Sequence, residues 1–424
     1  MQQKRNAIND KPKNTLRKSK PKPERSSPKT AQKTIPYKLM YPDGICQVKE
    51  GYFSKVVQYQ DINYQLAQEE DKRAIFDKYC EFLNYFDRSI HVQLCFYNYS
   101  GRIADYQVTI DIEEQKDAFN DIRQEYAEML RNQLAKGNNG LIKNKYLVFG
   151  IEADNYRTAK TRLERIELDV VKHLRGLGAI AQSLNGAERL HVMHDLLNES
   201  QHKFHFDWKR LKQSGLATKD FIAPSGFDFN PTGSFGMGRK HAQVSYLQIL
   251  APELSDELLK NFLIMESDLA VTLHIQSIEQ TAAIKMIKHK ITDLDKMKIE
   301  EQKKAIRSGY DMDILPSDLV TYGAEAKTLL ESLQSRNERL FLVTFLLMNI
   351  SDNKRKLEND YYQTAGIAQS ANCNLRPLDF QQERGLAAML PLGINPVPIE
   401  RALTTSATAI FVPFTTQELF QPAP

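Results

Sequence analysis

Apolar and polar positions alternate along this chain with two periods. Ile75, Phe76, Tyr79, Phe82, Leu83 and Phe86 fall at i, i+1, i+4, i+7, i+8 and i+11, one stripe of a helix. HVQLCFYN places Val92, Leu94 and Phe96 on one side, the alternation of a half-buried strand. ICQVKE and FSKVVQYQDI read as strands joined at Gly51, with order beginning near Ile45. YQVTIDI as a strand, a helix over 114–136, the strand YLVFGIE and a long helix over 156–183 complete a first α+β module. NGAERLHVMHDLLN is a further helix with Asn185 as its N-cap.

Residues 199–240 are rich in Gly, Pro, Ser and Asp and read as a long connector. A second alternation follows. HAQVSYLQIL is a strand, ELSDELLKNFLI a helix and LAVTLHIQSI a strand. Two helices over 279–307 and 316–335 precede the apolar strand RLFLVTFLLMNI, a helix over 352–370 and a last strand in NCNLRPLDF. Without the helix pair the order is β-α-β-β-α-β, which predicts a ferredoxin-like split βαβ unit with a helical hairpin inserted between its middle strands. The fold class expected is therefore α+β, in two modules that are possible distant relatives of each other. The boundaries are 1–36, a disordered basic tail; 37–198, the first module; 199–240, the connector; 241–380, the second module; and 381–424, a strand and linker.

Charge changes the picture at one end only. Residues 1–36 hold eleven Lys or Arg against Asp10 and Glu24, a charge of +9, while the whole chain carries +4. A mildly acidic body of −5 thus wears a basic arm, suited to anionic lipid or nucleic acid or simply to solvation. Five prolines and almost no large apolar residue predict disorder there. Cys46, Cys80, Cys95 and Cys373 are scattered and form no CxxC, as expected of buried thiols in a reducing compartment. The longest apolar run, LFLVTFLLM, is far short of the ~20 residues that span a bilayer. No apolar stretch follows the basic start, so no signal peptide is expected and the location predicted is cytoplasmic, peripheral to a membrane at most.

Three constellations suggest chemistry. GSFGMGRKH spaces Gly233 and Gly238 like a phosphate-binding loop, but Arg239 stands where Lys belongs and Lys240 where Ser or Thr belongs. It also leads into a strand, whereas such a loop opens a helix. A hairpin turn is the reading the residues favour. His191 and His194, then His202 and His205, are spaced for a shared metal, yet Leu190, Met193, Phe204, Phe206 and Trp208 surround them with apolar packing. The inserted helices interleave Lys285, Lys288, Lys290, Lys296, Lys298, Lys303, Lys304 and Arg307 with Asp293, Asp295, Glu300 and Glu301, a solvated or partner-binding face and not a groove reader. No nucleophile elbow, defensible acid pair or catalytic triad is found. No catalytic, cofactor-binding or metal-binding residue is assigned.

The stretch QQERGLAAMLPLGINPVPIERALTTSATAIFVPFTTQELF, Gln381 to Phe420, resembles the segment ahead of the P-loop domain in VirB-type ATPases of conjugative type IV secretion, in the branch found on Gram-positive conjugative elements. The matches are Leu390-Pro391-Leu392-Gly393, Arg401-Ala402-Leu403-Thr404-Thr405 and Phe411-Val412-Pro413-Phe414. AIRSGYDMDILPSDL, LQSRNERLFLVTFLLMN and KDFIAPSGFDFNP are similar to that branch too, and the likeness runs from about residue 37 to 420. The resemblance implies an assembly and partner-binding portion beneath a secretion channel at the inner membrane, acting in DNA transfer between cells and homo-oligomeric in the full-length protein. It implies no catalysis by this chain, since the family's Walker A loop has no counterpart before Pro424; ATP and magnesium would belong to that missing domain. It also implies that AIFVPF is a strand laid against the absent domain, leaving Phe411 to Phe420 exposed and adhesive. A nucleic-acid-binding accessory protein using the basic arm is the alternative, and a metal-dependent enzyme using the histidines a third.

Overall fold

The alternating segments pair into one antiparallel sheet, and the helices lie against it. The computed structural model describes residues 30–62, 64, 67–100, 120–125, 128, 141–199, 204–250, 255–308, 317–335 and 337–414. The strand expected over 106–112, residues 1–29 and residues 415–424 lie outside that range, as does most of the helix expected over 114–136, of which 120–125 and 128 are helical. The fold is α+β.

Its first elements are α1 (Ala31–Thr34), β1 (Leu39–Met40), β2 (Cys46–Lys49), β3 (Tyr52–Tyr59), α2 (Glu69–Tyr85), β4 (Ile90–Ser100), β5 (Leu141–Glu152), α3 (Tyr156–Gly176), β6 (Ala181–Ser183) and α4 (Gly186–Leu197). Then come α5 (Trp208–Ser214), β7 (Phe227–Asp228), β8 (Phe235–Met237), β9 (Lys240–Ile249), α6 (Glu257–Leu263), β10 (Leu269–Ser277), α7 (Gln280–Arg307), α8 (Ser317–Ser335), β11 (Leu340–Ser351), α9 (Lys354–Ser370) and β12 (Cys373–Pro377). The chain ends in α10 (Gln382–Met389), β13 (Arg401–Thr404) and α11 (Thr405–Ala409).

Two halves repeat one plan. The first sets its strands in the order β6-β3-β5-β4 and the second in the order β12-β9-β11-β10, with every neighbouring pair antiparallel. β4 then pairs with β10, Leu94 opposite Leu273, so the two halves share one sheet. The likeness reaches the residues: Asp154-Asn155-Tyr156-Arg157 begins α3 and Asp352-Asn353-Lys354-Arg355 begins α9. In each, the asparagine is the N-cap, accepting from Thr158 N–H at 3.0 Å and from Arg355 N–H at 2.9 Å. A short amide oxygen reaching back over the first turn is the reason for Asn at both positions.

The sheet is covered on both faces, which corrects the half-buried reading of β4. Val92, Leu94 and Phe96 enter one core with α2, α3, α6 and α9. Cys95 and Tyr97 enter a second core with α4, α10 and residues 390–397. Strands covered on both sides lose the clean polar alternation that marks a solvated face.

Three other expectations need correction. The long helix over 156–183 stops at Gly176, because Gly178 at φ 95 closes it. Gly178 N–H then donates to Arg175 O and Ala179 N–H to Leu174 O, each at 2.9 Å, the Schellman pattern that frees the chain to form β6. The basic tail is shorter than 1–36: Ala31–Thr34 is helical and Ile35, 1% exposed, sits in the second core. The connector over 199–240 contains α5, β7 and β8, and β8 pairs with β9. Its glycines and prolines serve turns between short elements instead of a free linker.

Candidate functional site

The glycine loop is a hairpin. Met237 pairs with Lys240 across the two-residue turn Gly238-Arg239. Gly238 has φ 60, and Arg239 is not among the residues with positive φ, as in a turn that takes glycine at its first central position. The loop opens a strand, so no helix N-terminus faces a phosphate there. Lys240, 8% exposed, lines a small cavity with Tyr97, Tyr146, Asp195 and Asp268.

The histidines divide. His191 stacks on Phe204 with ring centroids 5.1 Å apart and faces Asp195 at 3.4 Å. His194 is buried, 3.3 Å from the same carboxylate and tilted against Phe204. His205 is exposed, and His202 lies outside the described residues. Among the described residues no three His, Cys, Asp or Glu side chains are grouped to hold a metal ion. Phe204 and Asp195, not each other, are the partners of the first pair.

The motif-bearing C-terminal stretch is where the polar side chains of the sheet converge. α10 ends over the β4–β10 junction, and its last carbonyls have no partner within the helix. Gln93 Nε2 donates to Ala388 O at 3.0 Å and Leu390 O at 2.9 Å, while Gly393 N–H donates back to Gln93 Oε1 at 2.7 Å. Tyr97 donates to Met389 O at 2.6 Å and His274 Nε2–H to Ala388 O at 2.9 Å. Tyr52 donates its hydroxyl proton to Gly393 O. Gly393 itself has φ 75, and a Cβ there would lie 3.3 Å from the Tyr52 hydroxyl. Leu390-Pro391-Leu392-Gly393 is thus a buried strap laid across both halves.

Arg189, on α4, holds the strap from the other side. Its guanidinium donates to Gly44 O at 2.9 Å, Ser54 O at 2.7 Å, Ser54 Oγ at 2.7 Å and Pro391 O at 2.8 Å. Burial pulls its pKa below the ordinary guanidinium value. Asn185 and Glu188 close the start of α4 as a reciprocal capping box, in the turn that carries Arg189. Burial likewise pushes His274 down to about 4, although its bond to Ala388 O works in the opposite direction. A neutral imidazole donating through Nε2 is the form that fits.

Beyond the strap, Thr344 donates to Ile399 O at 2.6 Å and β13 pairs with β11, Leu340 opposite Thr404. The expected adhesive strand is overturned as far as Phe414. Thr405–Ala409 is helical, and Phe411, Val412 and Phe414 are at most 2% exposed in the first core. Lys145, paired with Asp61, donates to Pro413 O at 2.9 Å. The aromatic side chains of this stretch bury themselves in the chain's own sheet.

A separate cleft of 620 Å³ opens where the inserted hairpin leaves the sheet, lined by Asp87, Arg88, Ser277, Gln280, Glu338 and Arg339. Its three acids are already engaged locally: Asp87 accepts from Ser89 N–H at 2.7 Å, Glu279 from the Thr281 hydroxyl at 2.5 Å and Glu338 from Ser406 N–H at 3.2 Å.

Sequence reasoning passed over Gln93, Tyr97, Arg189 and His274. For Gln93, Tyr97 and His274 the signal present was polar side chains inside strands that are otherwise apolar, as in HVQLCFYN and LAVTLHIQS; Arg189 lies in a helix and gave no such signal. With both faces covered, those side chains need partners inside the protein. No family model matches the chain, and no curated protein matches it.

Proposed function

We propose that this chain is the assembly and partner-binding portion of a conjugal-transfer ATPase of type IV secretion, acting in DNA transfer between cells and not itself catalytic. One observation carries the reading. The residues that bear the likeness to that family, Leu390 to Gly393, Arg401 to Thr405 and Phe411 to Phe414, are the strap and its continuation, the first two bound through backbone atoms and the last by buried apolar side chains, across both halves of the sheet. Residues so placed hold an architecture together and present no reacting group. ATP and magnesium belong to the P-loop domain that follows this portion in the family. The proposed setting is the inner face of the cell membrane beside the channel; no helix among the described residues is long and apolar enough to cross a membrane.

The test has two arms. Purified chain is incubated with ATP and magnesium, and no turnover above background is expected. Turnover that disappears in Lys240→Ala would overturn the non-catalytic reading. In donor cells, the tagged chain is crosslinked and its partners are identified by mass spectrometry. Channel proteins of a type IV secretion system are expected, and their absence from the crosslinked fraction defeats the assignment.

A further inference from the structure

The inserted hairpin carries a feature that stands apart from the reading above. α7 holds eight Lys or Arg side chains against Asp293, Asp295, Glu300 and Glu301. At 100° per residue, Lys285, His289, Lys296, Lys303 and Arg307 fall within about 40° of one line along the helix. All five are exposed. Ala283, Ile287 and Ile291, which cluster with α8, and the buried Leu294 lie on almost the opposite side. At 1.5 Å per residue the basic line is ~33 Å long. Lys296 lies 3.3 Å from Asp293, while Lys285, Lys303 and Arg307 have no acidic partner among the described residues. Glu300 lies on the edge of the same arc, with Asp293 just beside it and Asp295 on the other side, so the face carries four Lys or Arg against one acid.

We infer that this face of α7 is a docking surface for the phosphate backbone of a nucleic acid, bound by charge and not by base sequence. Three observations select that occupant. The line is cationic on one continuous helix, and its length is close to one turn of a duplex, ~34–36 Å. Lysines two to three helical turns apart meet phosphates as point charges, without the planar fork that reads a base edge. The helix has buried its main apolar stripe on α8, and its exposed apolar side chains are split, Met286 and Met297 on one side of the line and Ile299 and Ile306 on the other, instead of forming the single face that an interfacial membrane helix inserts among lipids. The exposed Ile299 and Ile306 beside the line make the membrane surface the rival to be excluded.

The test uses the full chain and a fluorescein-labelled 30-base-pair duplex of mixed sequence, followed by anisotropy across a salt series. Binding whose log affinity falls linearly with log salt is expected. The triple variant Lys285→Gln, Lys296→Gln, Lys303→Gln should weaken binding at least ~10-fold at 0.1 M salt and flatten the slope by about 2 to 3. Lys296→Gln alone should flatten it by about 1, which keeps the question answerable if the triple variant misfolds. The same losses should appear in a chain whose Lys18, Lys20 and Lys22 are also changed to Gln, which separates the helix from the basic arm. The inference is overturned if the duplex does not bind, or if slope and affinity ignore the α7 changes. It is also overturned if those changes abolish only binding to phosphatidylglycerol vesicles.

Discussion

Arg189 is a cation surrounded by neutral oxygens. Burying it without a carboxylate is costly, and the four acceptors around it offset that cost only while all are in place. Arg189→Met would keep the volume and strand the carbonyls of Gly44, Ser54 and Pro391. The expected loss is about 3 kcal/mol, read as a lower urea midpoint at unchanged slope. An unchanged midpoint would mean that water replaces the guanidinium. His274 gives a pH test at the same scale. Its folded value near 4 lies below the ordinary 6.5, so its contribution is complete above 6.5 and is lost as pH falls toward 4. Between pH 7 and 5 the loss is about 2 kcal/mol. His274→Gln should reduce that slope, even though His91, also lowered by burial, remains. Equal slopes for the two proteins would remove His274 as the cause.

The inserted hairpin is an appendage at the scale of elements. β10 and β11 pair directly, Ser277 opposite Phe341, and Ile278 N–H donates to Leu340 O at 2.9 Å where the insertion leaves. Its apolar contacts form a small cluster, with Ala283, Ile287 and Leu333 buried, that touches the sheet only at its rim through Leu340 and Ile278. Replacing 279–339 by a short Gly-Asn-Gly-Ser turn should therefore leave the sheet intact, with a melting temperature within about 5 °C of the parent. Loss of cooperative melting would show that the hairpin supports the sheet. This helix pair was legible in the sequence because length and period agree over many turns. The boundary of α3 was not: the apolar spacing continues past Gly176, and only the Schellman closure stops it.

Across the whole molecule, one sheet and two shared cores join the halves. Tyr97 of the first half and Met348 of the second lie in the same core, and the strap crosses both. Unfolding should accordingly be a single transition, with far-UV circular dichroism and the fluorescence of Trp208, the one tryptophan, giving the same midpoint. Two separated midpoints would mean that the halves fold as independent domains. The sequence by itself determined the α+β class, the β-α-β-β-α-β order of the second half and the hairpin inserted in it, because periods of 2 and 3.6 are written locally. It also determined that GSFGMGRKH feeds a strand, since the residues after it alternate. Only the tertiary structure decided that β4 and β10 pair, that β4, read as half-buried, is covered on both faces, and that Phe411 to Phe414 close the chain's own core. Those facts depend on which surfaces meet across hundreds of residues, and local periodicity carries no information about distant partners.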